Sequence, residues 1–128
     1  MRVPIKKRVA GRSAAKRKEV ALRINKSGRT ASGETRYVVA VRFTNESYKK
    51  ASTTGFVIPE VDFEEGRLYF TSGNEREGYT LVASGKGSTF KSITFSIDDL
   101  NVWQPFIGDY DLLKDNESQD YYIDFSKK

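Results

Sequence analysis

The chain of 128 residues contains no cysteine and no histidine, one methionine, one tryptophan and three prolines. Without cysteine there are no disulfides, no thiolate nucleophile and no zinc-thiolate site. Without histidine there is no imidazole base, so neither a Ser-His-Asp nor a Cys-His arrangement can be built. A metal site would have to use oxygen ligands only, the hard-cation chemistry of magnesium or calcium. No apolar run is long enough to cross a bilayer, and no apolar h-region stands behind the first positive charges, so the expectation is a cytoplasmic protein with no membrane partner.

What is abundant is charge, and it is unevenly placed. Residues 1–50 hold 15 Lys/Arg against 3 Asp/Glu, a balance of +12, while residues 51–128 hold 7 against 14, a balance of −7. Seven of the basic residues fall in the thirteen of "KKRVAGRSAAKRK", with no acid among them. A division of this kind points to contact with a polyanion through the basic half. It also fits an acidic half that folds against the basic one or pairs with that of a second copy.

The length fits one domain. Residues 1–18 read as a basic flexible arm, with "SAAKRKE" able to start a helix from Ser13, and residues 19–128 as a single β-rich domain. In "EVALRI", Val20, Leu22 and Ile24 alternate with Ala21 and Arg23, and "TRYVVAVRF" places Tyr37, Val39, Val41 and Phe43 on one face. The polar "NKSGRTASGE" between them reads as a flexible turn, which makes a long β-hairpin with a basic tip. "TNESYKKAS" predicts a helix of about two turns, with Thr44 as its cap and Tyr48 and Ala51 toward the core. Strands are expected near 55–58, 67–71, 78–83 and 89–96, and "IDDLNVW" should hold a helical turn capped by Asp98. The final "GDYDLLKDNESQDYYIDF" reads as a hairpin turning at "DNES", with Tyr121, Ile123 and Phe125 on one face. The fold class is therefore α+β, mostly antiparallel β, a small single domain of hairpins with one short helix and a basic N-terminal arm.

The basic arm and the hairpin are the first candidate site. Arms reach phosphates or a minor groove, and a two-stranded ribbon fits a major groove. Lys6, Lys7, Arg8, Arg12, Lys16, Arg17 and Lys18 would serve the arm, and Arg23, Lys26, Arg29, Arg36 and Arg42 the ribbon. If half of these met phosphate, counterion release would give a salt slope of roughly −5. Tyr37 would stack on a base only if it faced outward, and its register with Val39 and Val41 places it toward the core. The same charges would also serve as a guarded, solvated strand edge. The expected function is non-enzymatic nucleic-acid binding, DNA before RNA, with no cofactor.

Three other constellations carry less. The acids of the second half include Asp120 and Asp124, but they alternate with aromatics or sit at turns, which solvation explains without a two-metal nuclease site. "SGKGST" at 84–89 is not a phosphate loop, since Gly87 follows Lys86 where Ser or Thr is needed and Thr80 stands at the position of the first glycine. Trp103, near Pro105 and Phe106, is expected to be buried over a sheet edge, with an interface anchor as its other use. The alternative function is a protein-binding module or an inhibitor of a nucleic-acid enzyme, acting through Asp109, Asp111, Asp120 and Asp124. Edge-strand pairing into a homodimer is a further expectation, and the whole suits a small accessory protein of a bacterium, phage or mobile element.

Overall fold

Alternating apolar residues make the strands, and the two inner faces they create make the core. The protein is seen in a computed structural model that describes residues 18–44, 46–83 and 90–127; the arm up to Arg17 and the "SGKGST" segment lie outside the described residues. The strands are β1 (Val20–Arg29), β2 (Thr35–Phe43), β3 (Phe56–Asp62), β4 (Arg67–Ser72), β5 (Tyr79–Thr80), β6 (Val82–Ala83), β7 (Lys91–Ile97), β8 (Gly108–Tyr110), β9 (Leu113–Lys114) and β10 (Tyr121–Asp124). They form two antiparallel five-stranded sheets, ordered β6-β7-β2-β1-β8 and β5-β3-β4-β10-β9, here called the first and the second.

Val20, Leu22, Val39, Val41, Phe43 and Ile93 of the first sheet are buried against Val57, Leu68, Phe70 and Ile123 of the second. Phe43 meets Phe70 edge-on, with ring centroids 5.1 Å apart. The expected faces of β2 and of the last strand are borne out, with Ile123 and Phe125 buried and Tyr121 packed on the core. Trp103 is buried as expected, among the rings of Phe63, Phe95, Phe106 and Phe125. No helix among the described residues is long and apolar enough to cross a membrane.

Four local expectations are corrected. The run 78–83 is two strands rather than one, because Leu81 buries its side chain and donates its N–H to the Gly55 carbonyl, so β5 joins the second sheet and β6 the first. The final hairpin turning at "DNES" is present as β9 and β10 of the second sheet, but it does not begin at Gly108: the chain changes sheets between β8 and β9, at Asp111 and the buried Leu112, so "GDY" belongs to the first sheet. Helix α1 (Tyr48–Ala51) is a single turn, and Thr44 does not cap it: the Thr44 hydroxyl donates to the carbonyls of Lys18 and Glu19, while Ser47 N–H goes to the Thr44 backbone carbonyl. Helix α2 (Leu100–Trp103) is capped by Asp99, one residue later than expected, whose carboxylate accepts from the Asn101 N–H at 2.9 Å.

Glu19 fastens the start of the domain. Its carboxylate accepts from Lys50 at 2.8 Å and from the Leu112 N–H at 3.3 Å, and its carbonyl accepts from the Thr44 N–H and the Ser47 hydroxyl. The Lys50 ammonium is held above its usual pKa chiefly by that hydrogen bond to Glu19.

Candidate nucleic-acid interface

The β1–β2 hairpin is longer than its neighbours. β8 pairs with β1 only at Val20–Leu22, and β7 pairs with β2 only from Tyr37 to Phe43. Beyond Lys26 and Tyr37 the two strands therefore pair only with each other among the described residues, as an exposed ribbon reaching Arg29 and Thr35. The polar stretch expected to be a flexible turn is strand as far as Arg29, and the true turn is the five residues 30–34. That turn is closed by the Thr30 N–H to the Glu34 carbonyl (2.8 Å), the Gly33 N–H to the Thr30 carbonyl (2.9 Å) and the Glu34 N–H to the Thr30 hydroxyl (3.2 Å). Gly33 has φ +87, a left-handed backbone that glycine adopts without steric cost.

A β-bulge decides which way the tip charges point. Lys26 pairs with Tyr37 and Gly28 with Arg36, so Ser27 is the extra residue and Gly28 takes φ +116. Residues that pair directly share a face. Lys26 opposite Tyr37 and Arg29 opposite Thr35 thus both continue the core face of the first sheet past the core. Arg23, Arg36 and Arg42 stand on its outer face, opposite Ala40, Gly28 and Ala21. Without the bulge Arg29 would lie on the outer face. The five ribbon cations that the sequence groups together are divided by the structure into two sets.

Their partners differ as well. Arg23 bonds the Asp109 carboxylate at 2.9 Å, the Gly108 carbonyl at 3.0 Å and the Leu22 carbonyl at 2.9 Å, and so locks β1 to β8. Its side chain and that of Asp109 remain 49% and 55% exposed. Arg42 lies over the Phe90 ring, 4.6 Å from its centroid. With Lys18, Arg23, Phe90 and Asp109 it lines a shallow cleft of 250 Å³ on the outer face. Lys18, the root of the arm, is held there by the Thr44 hydroxyl at 3.0 Å. Lys26, Arg29 and Arg36 have no acidic partner within 4.0 Å among the described residues, whereas Lys49, Lys50 and Arg67 are ion-paired with Glu46, Glu19 and Glu65. The remaining arm cations, Lys6, Lys7, Arg8, Arg12, Lys16 and Arg17, lie outside the described residues.

The four acids of the alternative reading are scattered. Asp109, opposite Ala21, is on the outer face of the first sheet and is paired with Arg23. Asp124, opposite Arg67, is on the outer face of the second, the far side of the sandwich. Its carboxyl is held below the usual range chiefly by the Ser126 hydroxyl, which donates at 2.6 Å. Asp120 belongs to the 115–120 turn, where its carbonyl accepts from the Asp115 N–H, and Asp111 is exposed at the crossing between β8 and β9. Among the described residues no three acids converge as metal ligands would.

One cluster escaped sequence reasoning. On the outer face of the second sheet Arg67 lies 4.5 Å over the Tyr122 ring and donates to the Tyr69 hydroxyl at 3.1 Å, beside a polar cleft of 610 Å³. The only sequence signal is the alternation Arg67, Tyr69, Thr71, which looks like any solvent face. Searches against protein-family models, curated proteins and solved structures found no match.

Proposed function

We propose that the chain is a non-enzymatic nucleic-acid-binding protein that grips duplex DNA with the projecting β1–β2 ribbon and the basic arm. The observation that carries this reading is the ribbon itself, a two-stranded projection that ends in Lys26, Arg29 and Arg36, none of them neutralised by a described acid. An antiparallel ribbon fits the B-form major groove, about 12 Å wide, whereas the A-form major groove of RNA duplexes is too narrow for side chains to read. Lys26 and Arg29 on one face of the ribbon and Arg36 on the other would then meet the two phosphate walls of one groove. Arg42 and Lys18 extend the positive track along the outer face to the root of the arm, whose cations would add sequence-independent affinity. The acidic alternative has less behind it, since Asp109 is neutralised by Arg23 and Asp124 lies on the opposite side of the sandwich.

Titration of isotope-labelled protein with a short DNA duplex tests this residue by residue. Amide shifts are expected from Lys26 to Arg36 and around Arg42. Shifts confined to the outer face of the second sheet, around Tyr69, Tyr122 and Asp124, would contradict it.

A further inference from the structure

Strand β7 leaves one side of the first sheet open. β6 pairs only with Lys91 and Ser92, so Ile93–Ile97 has a partner on its β2 side alone among the described residues. The direction of the free groups follows from bond alternation. The Thr44 N–H donates to the Glu19 carbonyl, so the odd-numbered residues of β2 turn their N–H and C=O toward β7, where they meet Ile93, Phe95 and Ile97. The N–H and C=O groups of Thr94 and Ser96 therefore point outward from the edge.

Such an edge invites another strand unless it is guarded. The matching edge of the second sheet is guarded: β5 covers only Phe56 and Val57 of β3, and beyond them stand Pro59, with no N–H to offer, and the charged Glu60 and Asp62. β7 has no proline, glycine or charge between Ser92 and Ile97. Exposed apolar side chains flank it, Tyr79 at 43% and Val82 at 58% exposure. A cleft of 400 Å³ separates Ser92 and Thr94 from Tyr79, Thr80 and Val82, and one of 290 Å³ opens between the two sheets at Phe95, Ile97 and Trp103.

The open stretch reads the same in both directions: Ile93, a hydroxyl at Thr94, Phe95, a hydroxyl at Ser96, Ile97. We infer that two copies of this chain pair antiparallel along this edge, about a twofold axis beside Phe95. In that register Ile93 of one copy lies opposite Ile97 of the other, Phe95 opposite Phe95, and Thr94 exchanges both backbone bonds with Ser96. Each of these is a favourable cross-strand pair, and no like charges meet. An isologous interface of this kind closes at two copies. The axis runs perpendicular to the sheet, so the outer faces bearing Arg23, Arg36 and Arg42 end on one side of a ten-stranded sheet. The inference stands without the nucleic-acid reading, because its test contains no nucleic acid.

Sedimentation equilibrium of the full chain should give twice 14.5 kDa. Thr94→Lys with Ser96→Lys places lysine opposite lysine at both hydroxyl pairs, on side chains that are exposed in the single chain, and should give a monomer with unchanged circular dichroism. Thr94→Lys with Ser96→Glu places lysine opposite glutamate and should restore the dimer, which a general disturbance of the strand would not. A monomeric wild-type chain would overturn the inference and leave the edge to an extended segment of another protein. A dimer that survives the double lysine change would overturn it too, by placing the contact elsewhere, and a lysine–glutamate variant that stays monomeric would refute the register.

Discussion

The buried Tyr110 is the residue whose chemistry is most exposed to test. Its hydroxyl donates to the Phe106 carbonyl at 2.5 Å, and burial pushes its pKa up to about 12 from an ordinary value of 10. A folded-state pKa above the unfolded one means that the unfolded chain loses the proton first. The stability from Tyr110 is therefore complete below pH 10 and is lost as pH rises from 10 toward about 12. Lys50, raised by Glu19, adds to the loss on the same alkaline side. Urea midpoints should fall across that window, and Tyr110→Phe should flatten the fall while costing about 1–2 kcal/mol at neutral pH for the orphaned carbonyl. Glu19→Ala should cost about 1–3 kcal/mol by the same measurement, because Leu112 N–H and Lys50 lose a charged acceptor together. The inward face of Tyr37 was legible in the sequence because alternation fixes a face, and the burial of Trp103 because a lone large aromatic is usually packed away. The role of Thr44 was not, because a hydroxyl that donates across the chain to Lys18 looks the same in sequence as one that accepts within its own helix.

At the scale of elements, the hairpin shows why strands were legible and their ends were not. The apolar alternation of 20–24 and 37–43 named β1 and β2, but "NKSGR" is polar and glycine-bearing, and it pairs as strand only because β2 supplies a partner across a bulge. The β5/β6 break is hidden for a related reason: Leu81 is apolar whether it continues a strand or turns the chain between sheets. One residue added between Arg36 and Tyr37, opposite Ser27, tests the bulge. It should restore one-to-one pairing and carry Arg29 to the outer face and Arg36 to the core face, with little change in thermal midpoint because residues 25–29 are exposed. If Arg29 and Arg36 meet phosphates in the native geometry, the salt slope of DNA binding should shrink by about one to two.

For the whole molecule, the sequence located the cations and the structure sorted them. Charge balance alone pointed to the first fifty residues, but the faces of Lys26, Arg29, Arg36 and Arg42 depend on register, and the pairing of Arg23 with Asp109 joins residues far apart in the chain. The open edge of β7 was invisible for the same reason, because only the sheet order shows that β6 stops at Ser92. The most direct test of DNA binding through the ribbon is a fluorescence-anisotropy salt series on a labelled duplex, with the wild-type chain beside Lys26→Glu/Arg29→Glu/Arg36→Glu. Each phosphate contact contributes about 0.9 to the slope of log K against log salt, so loss of three should shrink it by about 2.7. These exposed side chains hold no described ion pair, so the variant should unfold within about 0.5 kcal/mol of the wild type. A slope that falls by that amount in a folded variant places the ribbon on DNA phosphates, and an unchanged slope, or no binding by the wild type at low salt, contradicts it.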